Sequence, residues 1–141
     1  LRLDIARLLA GEPVAMEALQ WASEKLQGPV LIASSAAPQE VAALQKQHKP
    51  NHVSGLIEHC LAEIADGLVE RGVRRLIVAG GETSGAIVDR LGIKAFLVGP
   101  EIAPGVPVLR SAGDPREMLL ALKSGNFGGE DFFTRALGMM R

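Results

Sequence analysis

The chain has 141 residues, 48% of them hydrophobic and 22% charged, with a formal net charge of −1. Those totals fit one globular domain with a sizeable core, and they argue against a broad nucleic-acid surface, because the 15 Lys and Arg form no run. No apolar stretch reaches the ~20 residues of a membrane-spanning helix, and the lone cysteine, Cys60, excludes an internal disulfide and makes a reducing, cytoplasmic compartment the expectation.

The sequence opens Leu1-Arg2-Leu3-Asp4, with neither initiator Met nor signal peptide, and so reads as the cut end of something longer. Leu1–Ala10 predicts a short helix ending at Gly11. Glu12–Gln27 predicts a second, with Met16, Leu19, Ser23 and Leu26 on one face and Gly28-Pro29 as its stop. Trp21 lies off that stripe, either covering the helix edge or packing on a neighbouring domain. Val30–Ala33 reads as a buried strand, Ser34–Pro38 as a turn, and Gln39–Lys46 as a helix. A polar loop runs to His52. Ser54–Arg71 carries the strongest helical stripe, Ile57, Cys60, Leu61, Ile64 and Leu68, stopped by Gly72.

Leu76–Ala79 is a short buried strand. Gly80-Gly81 then lets the backbone turn tightly and approach a ligand. Thr83 or Ser84 opens a helix running through Ile87, Val88 and Leu91. A strand, a glycine turn and a helix N-terminus together form an anion site, because free N–H groups and the positive end of the helix dipole converge there. Ala95–Val98 predicts another strand. Pro104-Gly105 turns the chain, and Pro107 argues that the extended Val106–Leu109 is an edge strand or a loop. Met118–Leu122 fits helix or strand by periodicity. A strand is preferred because a second glycine turn, Lys123–Gly129, and a final helix follow it. That helix starts near Glu130-Asp131 and is expected to bury Phe132, Phe133 and Leu137. Alternating helices and strands imply an α/β fold: a mostly parallel sheet flanked by helices on both faces, in three layers.

The two strand–glycine–helix units carry the chemistry. In a parallel sheet such turns lie at the carboxyl ends of the strands, and neighbouring strands would aim both at one crevice. Thr83 and Ser84 then offer hydroxyls to a phosphate, Lys123 a compact positive charge, and Gly125 and Gly128 close backbone access. Glu82 is repelled by phosphate unless it contacts a ribose hydroxyl or Mg²⁺ through water. Neither unit matches G-x-x-x-x-G-K-[ST] or G-x-G-x-x-G, so each is also explicable as a tight turn. His48, His52 and His59 do not form a metal-ligand pattern, so no metal ligands are assigned. Cys60 falls on an apolar stripe, as a buried inert thiol would. For Ser34-Ser35 helix capping is the simpler role.

Three motifs occur in order: Ala79-Gly80-Gly81-Glu82-Thr83-Ser84-Gly85, Gly99–Pro107, and Leu122-Lys123-Ser124-Gly125-Asn126-Phe127-Gly128-Gly129-Glu130-Asp131-Phe132-Phe133. Together with Gly28–Ser35 they make the whole chain resemble the C-terminal nucleotide-binding domain of the four-carbon acid sugar kinases, a family long described as a domain of unknown function. The resemblance implies that residues 1–141 are the ATP-binding domain of a larger two-domain kinase. That kinase would phosphorylate sugar acids of the threonate, erythronate or 3-oxo-tetronate type. It implies nucleotide contacts at Gly80, Gly81, Glu82, Thr83 and Ser84 and around Gly125 and Gly128, with Mg²⁺ as the accompanying cation. No catalytic residue is assigned to this chain, and Gly99–Pro107 is a candidate wall of the adenine pocket whose prolines a rigid surface loop explains equally well. The family's substrate domain and its earlier Ser-Gly-Ser turn are absent, so this chain alone is expected to bind nucleotide weakly and transfer no phosphate. A non-catalytic nucleotide-binding or regulatory module, and a structural or dimerisation domain, are the competing readings.

Overall fold

The structure, a computed structural model, describes residues 1–34, 50–125 and 127–141. The turn from Ser35, the helix expected at Gln39–Lys46 and the following loop as far as Lys49 lie outside them. The chain divides into two compact units, Leu1–Arg71 and Gly72–Arg141.

In the first unit α1 spans Ile5–Leu9, shorter than the expected Leu1–Ala10. Asp4 caps it, its Oδ1 accepting from the Arg7 N–H at 3.1 Å. Leu1–Leu3 is extended instead. The Leu3 N–H donates to the Ala33 carbonyl at 2.8 Å, and the Ala33 N–H to the Leu1 carbonyl at 3.0 Å. The expected buried strand Val30–Ala33 is therefore a single parallel bridge between Arg2 and Ala33, with Leu31 62% exposed. Helix α2, Val14–Ser23, buries Val14, Ala18 and Ala22 rather than the Met16 stripe, and Met16 is 63% exposed. Small residues at i, i+4 spacing allow close approach to α3, Pro50–Glu70. Leu19 lies over Gly67, where an added Cβ would come 2.5 Å from Leu19 Cδ2. Helix α3 starts at Pro50, a residue suited to a first helical turn. His52, expected in a loop, is therefore helical. Its buried stripe includes Cys60, Ile64, Ala65, Leu68 and Val69.

The second unit contains β1 Arg75–Ala79, α4 Gly81–Leu91, β2 Phe96–Ala103, β3 Val106–Ser111, β4 Leu119–Lys123 and α5 Phe132–Met139. The four strands form one sheet in the order β1-β4-β3-β2. Only β1 and β4 pair in parallel; β4–β3 and β3–β2 are antiparallel. The sheet is mixed, not mostly parallel. The cause is the Pro104-Gly105 turn, which is too short for a crossover and folds β2 and β3 into a hairpin. Strands β1, β2 and β4 still run in one direction, and β3 alone opposes them.

Pro107 was expected at an edge, yet β3 lies between two strands. Its pairing with β4 covers Leu109 and Arg110 and leaves Pro107 outside. The missing N–H therefore costs no ladder bond there. Pro100 sits on an edge strand, β2, where the β2–β3 register shifts. The core joins Ile102, Val106, Val108 and Ala121 to Phe132, Ala136 and Met140. Helix α5 thus buries residues four apart. Phe133, expected inside, is 40% exposed and meets Phe132 edge-on at 5.9 Å.

Candidate functional site

Parallel pairing of β1 with β4 puts Ala79 opposite Lys123. Both strands therefore release the chain at the same level of the same sheet end. The Gly80 N–H donates to the Lys123 carbonyl at 2.8 Å, so the first residue of one glycine turn is bonded to the last residue before the other.

The first turn is tighter than the sequence reading. Helix α4 begins at Gly81, two residues before Thr83. Gly80 makes this abrupt entry with φ +131° and ψ 126°, a conformation that L side chains rarely adopt. Ser84 closes the turn twice. Its N–H reaches the Gly80 carbonyl at 2.9 Å, and its buried hydroxyl donates to the same oxygen at 2.7 Å. That proton is thus used inside the turn. The N–H groups of Gly81, Glu82 and Thr83 precede the first helical hydrogen bond and have no acceptor within the helix. They lie at the positive end of the α4 dipole. Thr83 is half-buried with its Oγ1 beside Gly80, 3.2 Å from where a Cβ on that glycine would stand. Gly81 and Glu82 are exposed.

The second turn is organised by Lys123, whose residue is only 8% exposed. Its Nζ donates to the Ser124 carbonyl at 3.1 Å and the Gly125 carbonyl at 2.8 Å, and stands 5.6 Å from the centre of the Phe132 ring. Among the described residues no carboxylate pairs with this ammonium. Gly125 is exposed, and a Cβ added there would meet nothing within 4 Å. Gly128 serves packing. Its φ is +83°, and an added Cβ would come 2.5 Å from Phe132 Cδ2.

The Pro104-Gly105 turn, legible in the sequence as a turn but not as a neighbour of the other two, lies at this same end. Strand β2 runs the same way as β1 and β4, so its exit at Pro104-Gly105 joins them. A Cβ on Gly105 would sit 3.5 Å from Phe127 Cε1, which places that half-exposed ring against the hairpin. The hairpin signal at Pro104-Gly105, followed by an aromatic inside a glycine turn, could have revealed it.

The remaining described candidates, Ser34 among them, belong to the first unit. Ser35 and His48 fall outside the described residues. His52 and His59 are exposed on α3. Among the described residues no group of three or more His, Cys, Asp or Glu is placed to hold a metal ion. Cys60 is 2% exposed, and burial, seconded by the Glu63 carboxylate, pushes its thiol up. Trp21 is half-buried with the Lys25 ammonium 4.9 Å above its ring.

Residues 1–133 match the family model described as the nucleotide-binding C-terminal domain. A 3-oxo-tetronate kinase of Methylobacterium radiotolerans is 69% identical over 141 residues, covering 99% of this chain and 33% of that protein. The 3-oxo-tetronate kinase of Pseudomonas fluorescens is 50% identical, covering 99% of this chain and 32% of its own length. A crystal structure of a Haemophilus influenzae protein superposes with a TM-score of 0.89 at 37% identity, covering 99% of this chain and 34% of that one. The chain thus spans about a third of the length of the curated relatives it matches. With the match running over nearly all of its residues, the chain belongs to the nucleotide-binding C-terminal domain family.

Proposed function

We propose that residues 1–141 form the ATP-binding domain of a kinase that phosphorylates a four-carbon sugar acid of the 3-oxo-tetronate type. The observation that carries this reading is the 2.8 Å bond between Gly80 and Lys123, which makes two anion-binding turns neighbours. The family match and the kinase names of the relatives support it.

In this reading the phosphates lie across the ends of β1 and β4. The N–H groups of Gly81, Glu82 and Thr83 and the Thr83 hydroxyl receive one part of the chain of phosphates, with Gly80 giving close backbone approach. The open backbone at Gly125 receives another. Ser84 and Gly128 hold the two turns in shape, and Lys123 supplies positive charge from behind. Glu82, exposed at the start of α4, contacts a ribose hydroxyl or a water of a nucleotide-bound Mg²⁺. The cation's direct ligands would then be phosphate oxygens and water.

Phosphoryl transfer needs an acceptor hydroxyl in line with the γ-phosphate and the developing charge neutralised. A separate N-terminal domain would hold the sugar acid, so this chain binds nucleotide and leaves it unreacted. We assign the same chain a cytoplasmic setting and a three-layer arrangement with helices on both sheet faces, as the parts of the reading least tied to the site.

Calorimetry with ATP and ADP, with and without Mg²⁺, tests the binding claim on the chain itself. Thr83→Ala should weaken both nucleotides without unfolding the protein. Failure of either nucleotide to bind at millimolar concentration would overturn the claim. Turnover of ATP by the chain alone on addition of a sugar acid would overturn the division of labour.

A further inference from the structure

We propose that Lys123 is a positioning residue. Its ammonium is committed to the Ser124 and Gly125 carbonyls, and it orders the second turn instead of ligating phosphate directly. This rests on the nucleotide-site reading for its purpose, though not for its geometry.

A lysine ammonium has three donors. Two are placed on backbone oxygens, at 3.1 Å on Ser124 and 2.8 Å on Gly125, and the side chain is buried against the Phe132 ring. Two of the three donors are thus spent on the backbone, and swinging the ammonium out toward a ligand would break those bonds. The Ser124 carbonyl also accepts the Phe127 N–H at 3.2 Å, so the ammonium sits on the oxygen that closes the turn. In a trans peptide the C=O and N–H point in opposite directions. Drawing the Ser124 carbonyl toward Nζ therefore turns the Gly125 N–H away from Lys123. That N–H belongs to the residue whose added Cβ would meet open space. The Lys123 main chain meanwhile accepts the Gly80 N–H at 2.8 Å. One residue thus fixes both turns, the first through its carbonyl and the second through its side chain. Because the charge stays buried behind the backbone, it favours an anion through the field it adds, not through contact.

The test begins with the unmodified chain. NMR of ¹³C,¹⁵N-labelled protein should show a slowly exchanging Lys123 ammonium, with couplings across hydrogen bonds to the Ser124 and Gly125 carbonyl carbons. Those couplings should be present without nucleotide and survive saturation with Mg²⁺-ATP. A freely exchanging ammonium, or couplings lost as ATP binds, would overturn the proposal. In Lys123→Met the Phe127 N–H should lose about tenfold of its exchange protection. ADP and ATP should both weaken, and unchanged nucleotide affinity in a folded variant would overturn the proposal. If the variant fails to fold, the couplings in the unmodified chain still decide. If the unmodified chain binds no nucleotide, the nucleotide reading fails while the couplings and the exchange protection still judge the clamp.

Discussion

Gly80 donates its N–H to the carbonyl of Lys123 across 2.8 Å, joining two residues 43 positions apart at the end of a parallel strand pair. Without that pairing each glycine turn would be a separate bend. With it, the start of α4 and the turn after β4 share one rim of the sheet.

Gly80 should be intolerant and Gly81 permissive. Alanine at 80 must hold φ +131° and bring its Cβ to 3.2 Å from Thr83 Oγ1, at a cost of about 1–3 kcal/mol. Gly81→Ala meets nothing within 4 Å, and its stability should change by less than about 0.5 kcal/mol. Chemical denaturation measures both. Nucleotide affinity should fall in each, because a methyl at 81 stands beside the N–H groups that receive phosphate.

Ser84 and Thr83 should separate stability from binding. Ser84→Ala removes the buried 2.7 Å bond to the Gly80 carbonyl and should cost about 1 kcal/mol. Thr83→Ala should leave the melting temperature nearly unchanged and weaken nucleotide. Thermal melts paired with calorimetry distinguish the two effects.

Acid should find Asp114. The Arg116 guanidinium, bonded at 2.8 Å to Oδ1, together with the Arg116 backbone N–H at 2.9 Å, holds this carboxyl down at about 2. A depressed carboxyl contributes stability that is present above its unfolded value and lost as pH falls through the folded one. The loss therefore falls between roughly pH 4 and pH 2. Asp114→Asn should lower stability at neutral pH by about 1 kcal/mol and flatten that acid limb. Denaturation curves at pH 6, 4 and 3 check the sign.

Cys60 should be inert in the folded protein. It is buried, and desolvation raises its thiol above the ordinary range. A thiol reagent at pH 8 should modify it only as fast as the protein opens. Rapid modification under native conditions would contradict its burial.

The sequence shows some of this plainly and hides the rest for physical reasons. Strands β1 and β4 are legible as apolar runs ending in glycine turns, but their adjacency is set by long-range pairing that no local signal carries. The mixed sheet was concealed although its cause, Pro104-Gly105, was visible, since a two-residue turn dictates a hairpin whatever the surrounding alternation implies. The buried face of α2 escaped because alanines carry little weight in a search for large apolar residues, although Ala18 and Ala22 are nearly inaccessible. At the site, residue types marked the right stretch but not each role. A serine reads as a donor to ligand until its partner, the Gly80 carbonyl, is located. A lysine next to glycines reads as exposed until the Phe132 ring is found beside it.

The central claim is that both glycine turns bind one chain of phosphates. Titrating ¹⁵N-labelled protein with Mg²⁺-ATP and following backbone amides tests it most directly. The account predicts that Gly80–Thr83 and Gly125 shift together along one saturation curve with one dissociation constant. Shifts confined to a single turn, or two turns saturating at different concentrations, would contradict it.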